Sequence, residues 1–135
     1  MTDYFNITLP EDDINAISNL GLAHLGDAVF ELMVRTWLCE HGYAKSSNLH
    51  KKTVQRVSAP AQAKAVEIIM PVLSERETAV YKRGRNTRVN SVPNRATIGQ
   101  YHAATGLETL FGWLYLHGET ARLNELFALI MKEEA

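Results

Sequence analysis

Apolar residues recur along most of this 135-residue chain at the three- and four-residue spacing of amphipathic α-helices. Alternating strand patterns, internal repeats and low-complexity segments are absent from the sequence. We therefore expect an all-α fold of about seven helices in a single domain that spans residues 1–135. A chain of this length can bury a core without disulfides or a structural metal.

Start and stop signals place the ends of these helices. Pro10 and the three acids after it suit the start of a first helix, and Ser18 or Asn19 can cap a second, which runs to about Glu40. Ser74 with Glu77 and Thr97 with Gln100 have capping-box spacing. The later helices are expected at roughly 49–57, 60–71, 75–82, 98–117 and 120–132. Residues 83–95 have little apolar periodicity, which predicts a basic loop.

The charged residues are unevenly distributed, although the formal net charge is only −1. Most of the 14 Lys and Arg residues fall in two windows, residues 41–66 and 78–107, which contain neither Asp nor Glu. A chain with this pattern can present a positive face to a polyanion. The alternative is that both windows are ordinary solvated surface.

Several classes of protein and site are disfavoured. Cys39 is the only cysteine, which excludes an internal disulfide and a multi-cysteine zinc site and fits a reducing compartment. The histidines lack the spacing of zinc ligands, and no nucleophile elbow or phosphate loop is present. The sequence also lacks a signal peptide and a membrane-spanning window. We expect a soluble cytoplasmic protein with no organic cofactor.

Two acids, Asp27 and Glu31, lie one helical turn apart in the otherwise apolar run HLGDAVFELMVR, residues 24–35. Glu108 repeats this pattern on another apolar helix, on the face that it shares with Thr105. We expect these acids to be buried or half-buried, and a buried carboxylate needs a partner because its removal from water is costly. A divalent cation such as Mg²⁺ could join Asp27 to Glu108, since Mg²⁺ takes few carboxylates plus waters and phosphate oxygens.

Other partners for these acids remain open at this point. Glu31 can pair with Arg35 one turn later, which is a common arrangement on helix surfaces. Asp27 can cap a helix or bridge to a basic residue. A metal ion would instead lower the pKa of a bound water and stabilise charge on a phosphodiester.

Four motifs in sequence order resemble those of the ribonuclease III family. LGDAVFELMVR, residues 25–35, is similar to its signature helix, and ATGLETLFGWLYLHG, residues 104–118, is similar to its second acidic helix. SAPAQAKA, residues 58–65, and YKRGRNTR, residues 81–88, resemble the minimal branch called Mini-ribonuclease III. The resemblance extends over about residues 14–127.

This resemblance implies an endonuclease domain that works as a homodimer on double-stranded RNA with Mg²⁺, or with Mn²⁺ in its place. The family's catalytic and metal-binding residues carry over to Asp27 and Glu108. Glu31 is no ligand in that family, but it lies on the same face and could support Asp27 or Arg35. Each family subunit holds one site, and the two sites cut opposite strands. Members of the minimal branch lack a double-stranded-RNA-binding domain and are associated with maturation of ribosomal RNA precursors.

This sequence also departs from the larger family. Leu20 and Ala23 occupy positions where larger relatives have glutamates, and Thr105 stands where they have an aspartate. The minimal branch generally shares this sparser set, so the departures leave open the number of ions and the supporting role of Thr105.

Flexible basic side chains are the expected RNA contacts, because an RNA duplex presents its backbone and 2′-hydroxyls across a wide minor groove. The predicted contacts are Lys82, Arg83, Arg85, Arg88 and Arg95, with Lys51, Lys52 and Arg56 as a second zone. Two other functions remain possible: an inactive RNA-binding scaffold with the same fold, and a helical adaptor that binds no RNA. The apolar helix around Leu25, Phe30 and Met33 further predicts a two-fold dimer contact.

Overall fold

The computed structural model describes residues 1–43, 46–87 and 96–132, and these residues form helices without any strand. The helices are α1 (Glu11–Asn15), α2 (Asn19–Glu40), α3 (Ser46–Val57), α4 (Ala59–Ile69), α5 (Glu75–Arg85), α6 (Ile98–Leu116) and α7 (Thr120–Lys132). A 3₁₀ turn follows α4. In these ranges no helix has the length and apolar character needed to span a membrane. The prediction of an all-α fold with about seven helices is confirmed.

Short polar side chains begin the helices that carry the site. Ser18 caps α2 through its hydroxyl. Both predicted capping boxes are present, Ser74 with Glu77 at α5 and Thr97 with Gln100 at α6. Because each cap satisfies backbone N–H groups that have no partner inside the helix, these residues determine where each helix starts.

The prediction of a basic loop at residues 83–95 is wrong for its first residues, because α5 continues through Arg85. Packing explains the extension. Gly84 lies so close to α6 that a Cβ there would be 2.3 Å from the hydroxyl oxygen of Thr109, and this contact supports the last turn of α5. Residues 88–95 lie outside the described residues.

The core is arranged around α6, which packs against α2, α4 and α5. Eleven of its 19 residues are buried. Phe111 of α6 packs edge to face on Phe30 of α2 with ring centroids 5.5 Å apart, and Phe30 also contacts Phe127 of α7 at 6.1 Å. Aromatic pairs in this geometry add to the stabilisation from apolar burial. The central helix is thereby held from several sides, which fixes the position of its one half-buried acid.

Candidate active site

The backbones of α2 and α6 meet at two glycines. A Cβ atom at Gly26 would lie 1.6 Å from the carbonyl oxygen of Glu108, and one at Gly112 would lie 2.1 Å from the carbonyl oxygen of Leu22. Any side chain at these positions would overlap a backbone atom, so the close contact requires glycine. The same contact brings Asp27, the residue after Gly26, beside Glu108.

Asp27 and Glu108 are close enough for their carboxyl groups to interact electrostatically. Glu108 is half-buried, as expected, whereas Asp27 is exposed. The expectation that Asp27 is withdrawn from water is therefore wrong. Asp27 lies on the solvent side of α2, while Phe30, three residues later, points into the core and is 1% exposed.

The electrostatic environment of Glu108 is unfavourable for a negative charge. Burial, together with a hydrogen bond to Asp27 and charge repulsion from it, raises the pKa of Glu108 to about 8. A hydrogen bond from Gln62 acts in the opposite direction. In the metal-free protein the Glu108 carboxyl group therefore holds its proton at neutral pH. A cation beside the pair would favour the second negative charge.

Gln62 of α4 is the site residue that sequence reasoning missed. Its side chain is 2% exposed, and its Nε2 donates to Oε2 of Glu108 at 3.3 Å and to the carbonyl oxygen of Val57 at 2.9 Å. The sequence does carry a signal for it. Gln62 shares helical spacing with the buried residues Ala65 and Ile69, so it is a polar side chain on the apolar face of α4.

The two predicted supporting residues have local partners. Glu31 forms an ion pair with Arg35, one turn later on α2, at 2.8 Å between carboxylate and guanidinium. Thr105 is buried, and its hydroxyl donates to the carbonyl oxygen of Tyr101 at 3.1 Å within α6. Of the two partners considered for Glu31, the structure therefore shows Arg35 rather than Asp27.

A cleft of about 510 Å³ opens between the start of α4 and the first half of α6, and it ends at Glu108. Its walls are mainly apolar. The residues that line it include Val57, Ser58, Pro60, Gln62, Tyr101 and Thr105. The half-buried acid of the site is thus reached from a cavity as well as from the exposed face of Asp27.

The basic residues of α3 are partly used in packing. Lys52 lies over the ring of Tyr43 at 4.6 Å, and the guanidinium of Arg56 lies over the ring of Trp37 at the same distance. Both side chains are half-buried, while Lys51 is exposed. Such cation–π contacts hold the cationic groups against α2 and the residues after it. Of the three cations predicted as a second zone of RNA contacts, Lys51 is exposed and the other two are half-buried.

The basic end of α5 packs on α6 beside Thr109, the residue after Glu108. Lys82 and Arg83 are exposed. Arg85 is half-buried, lies 5.8 Å from the ring of Tyr81 and donates to the Asn86 side chain at 3.1 Å. The remaining two predicted contacts, Arg88 and Arg95, lie outside the described residues.

The donor set at Asp27 and Glu108 fits a hard divalent cation. Two carboxyl groups from different helices interact, Asp27 is exposed to solvent, and the pKa of Glu108 is raised. Nowhere in the ranges that the structure describes, this site included, do three Asp, Glu, His or Cys side chains gather in a way that could hold a metal, so the site offers two carboxylates. Mg²⁺ suits such a sparse site, because it keeps several waters and binds one or two carboxylates plus phosphate oxygens.

Comparison with known proteins adds independent findings. A sequence model of the ribonuclease III domain matches residues 20–119, a range that contains both Asp27 and Glu108. A protein of Clostridium tetani named Mini-ribonuclease 3 is 42% identical over 122 residues, which are 90% of this chain and 81% of that protein. Another of that name, from Symbiobacterium thermophilum, is 44% identical over 107 residues, 79% of this chain and 82% of that protein.

A solved structure shares the fold as well. A crystal structure of a protein from Fusobacterium nucleatum matches this chain with a TM-score of 0.82 and 31% sequence identity. The match covers 91% of this chain and 98% of that one. The arrangement of helices that brings Asp27 to Glu108 is therefore shared across almost the whole of both chains.

Proposed function

This chain belongs to the ribonuclease III family, among proteins like the Mini-ribonucleases 3, and is an endoribonuclease; from this premise we propose that it cleaves double-stranded RNA in a Mg²⁺-dependent reaction. The observation that carries the proposal is the close backbone approach of Gly26 to Glu108, which brings the interacting carboxyl groups of Asp27 and Glu108 together from two helices. By the family resemblance, we further propose ribosomal RNA precursors as the substrate.

Asp27 and Glu108 are the residues that would hold the ion, and Mn²⁺ could replace Mg²⁺ because it also prefers carboxylate oxygens. When bound, the ion would lower the pKa of a coordinated water and neutralise charge on the phosphodiester. Asp27 is exposed and can meet a phosphate from solvent. Glu108 is half-buried on α6, where α6 packs against α2 and α4.

RNA would be held by phosphate contacts from exposed cations. Lys82 and Arg83 at the end of α5 and Lys51 on α3 are accessible for this role. We propose that Arg88 and Arg95 contribute as well. Binding of this kind falls steeply with salt, because each phosphate contact releases a condensed counterion.

We also propose a homodimer, in which each subunit contributes one site and the two sites cut opposite strands. The residues first expected at the contact are not free for it, because Phe30 is buried and Leu25 and Met33 pack on the core. The exposed face of α2 instead carries Leu20 and Leu32, which are 47% and 52% exposed. With His24 and Ala28 they form a row of exposed residues at every fourth position along α2, and a two-fold contact would cover them.

The test is cleavage of a long RNA duplex, with Mg²⁺ or with a chelator, by the wild type, Asp27→Asn and Glu108→Gln. We expect both variants to lose about a hundredfold or more of the activity, because each removes a ligand of the ion. Asp13→Asn makes the same change at an exposed carboxylate of α1 and should leave activity unchanged. Gel-shift measurements should show that Asp27→Asn still binds the duplex.

The alternatives predict different results. An inactive RNA-binding scaffold would bind the duplex but would not cleave it in any of the four proteins. A helical adaptor would not bind the duplex even at low salt. Cleavage that Asp27→Asn or the chelator leaves intact would contradict the proposed site.

A further inference from the structure

The carboxamide of Gln62 lies beside Glu108 but takes no part in the function as proposed so far. Its side chain is 2% exposed. Burying a polar amide is costly unless it is hydrogen-bonded. A leucine or methionine would fill an apolar helix face without this cost, so a glutamine at this position needs a specific hydrogen-bond partner.

The two hydrogen bonds of Gln62 establish which end of the amide faces Glu108. The partners are a carboxylate oxygen at 3.3 Å and a main-chain carbonyl oxygen, that of Val57, at 2.9 Å. A main-chain carbonyl can only accept, so the NH₂ group must face Val57, and the same nitrogen lies next to the Glu108 oxygen. The carboxamide oxygen is buried and has no partner among the described residues. The NH₂ group is therefore oriented by one main-chain contact and presented to Glu108.

Gln62 is well placed to keep this orientation. Its own N–H bonds to the carbonyl oxygen of Ser58, which caps α4. The following residues on the same face, Ala65, Val66 and Ile69, are buried in the core. A donor on a packed helix has little freedom to move, which is the condition for fixing a neighbouring side chain.

We propose that Gln62 is a positioning residue, which holds the Glu108 side chain in one rotamer beside Asp27 so that the pair is ready for a divalent cation. This inference rests on the proposed function. Asp27 and Glu108 repel each other when both are ionised, and a free Glu108 side chain would turn away. A neutral amide can hold Glu108 without supplying the positive charge that the cation brings. A lysine or arginine there would compete with the ion.

The test compares Gln62→Met with the wild type in RNA-free protein. Methionine has nearly the same length but no donor, and Gln55→Met makes the same change at an exposed position of α3. We expect Gln62→Met to weaken Mg²⁺ binding, measured by calorimetry, about tenfold, as is usual when a hydrogen-bonded neighbour of a metal ligand is lost. Gln55→Met should bind Mg²⁺ like the wild type.

The outcomes separate this inference from the proposed function. If the wild type binds no Mg²⁺, the proposed metal site is wrong. If the wild type and Gln62→Met bind Mg²⁺ equally, Gln62 serves packing alone and the inference is overturned, even where the variant melts at a lower temperature.

A second measurement tests the inference without any substitution of Gln62. The side-chain NH₂ signals of Gln62 in the NMR spectrum of the wild type should shift during a Mg²⁺ titration, with the same midpoint as the calorimetric binding curve. The same signals should stay unchanged in Asp27→Asn. Signals that do not respond in the wild type, despite measurable Mg²⁺ binding, would overturn the inference.

Discussion

Gly26 and Glu108 touch through their backbones, with the carbonyl oxygen of Glu108 at the point where a Cβ of residue 26 would lie. This contact, rather than any side-chain interaction, determines the spacing of α2 and α6 next to the two acids. It follows that the geometry of the site and the stability of the fold depend on the same atom pair.

Gly26→Ala should therefore reduce both stability and Mg²⁺ binding. The added methyl group would force the helices apart, at a cost of about 3 kcal/mol in the free energy of unfolding. Gly99→Ala is the control, because among the described residues the nearest atom to a Cβ there would be the Thr97 hydroxyl oxygen, at 3.9 Å. That variant should be unchanged or up to about 0.5 kcal/mol more stable. Urea unfolding and calorimetry measure both effects; a Gly26→Ala protein of wild-type stability would contradict the close contact.

Stability without metal should depend on pH. Burial and Asp27 raise the pKa of Glu108 from 4.5 to about 8 in the folded protein, so the folded protein keeps a proton that the unfolded chain releases. The stabilising effect of this proton is complete below about pH 4.5 and is lost as the pH rises toward about 8. We expect stability to fall by about 1–2 kcal/mol between pH 5 and pH 8. This fall is smaller than the full pKa shift implies, because water screens the charge of the exposed Asp27.

Urea unfolding in a chelator at several pH values would measure this fall. Asp27→Asn removes the repelling charge and should make the curve flatter, and saturating Mg²⁺ should remove much of the loss in the wild type. Asp13→Asn should leave the curve as it is in the wild type. A wild-type protein that becomes more stable over this pH range would contradict the assignment of a raised pKa to Glu108.

Arg83→Gln should weaken duplex RNA binding with little effect on cleavage at saturating RNA. Arg83 is exposed at the end of α5, and the loss of one phosphate contact should lower the slope of log affinity against log salt by about one unit. Arg76→Gln is a control on the same helix, since Arg76 pairs with Glu11 and lies over the Trp113 ring. Gel shifts at several salt concentrations measure the slopes. Equal slopes for the two variants would argue against the basic end of α5 as an RNA contact.

Leu32→Asp should convert the proposed dimer into monomers. Leu32 is 52% exposed on α2, and a carboxylate there could not be buried against its symmetry mate without a large desolvation cost. Val54→Asp, at a residue 44% exposed on α3, should stay dimeric. Sedimentation at micromolar concentration distinguishes the two, and a monomeric wild type would contradict the paired cut.

Much of the fold could be predicted because helix ends are local. The capping boxes at Ser74 and Thr97 need only residues three positions apart, and both are present. The pairing of Asp27 with Glu108 followed from helical faces and family resemblance. Exposure could not be predicted in the same way, because apolar neighbours along α2 do not reveal which side of the helix Asp27 occupies.

Other features depend on contacts between distant parts of the chain. Arg56 lies over the ring of Trp37, so a cation that the charge pattern alone predicts as an RNA contact is partly used in packing. The hydrogen bond from Gln62 to Glu108 requires α4 and α6 to be in place first. Neither follows from the period of apolar residues, which reports a buried face but not what that face meets.

The position of α6 separates the half-buried acid of the site from the cations proposed to contact RNA. Its buried residues and Glu108 are constrained by α2, α4 and α5 on three sides. The exposed cations proposed to contact RNA are instead on α3 and at the end of α5. Substitutions that alter which duplexes are bound can therefore accumulate on the periphery while the central helix stays unchanged, so related chains can diverge in substrate preference without rebuilding the reaction centre.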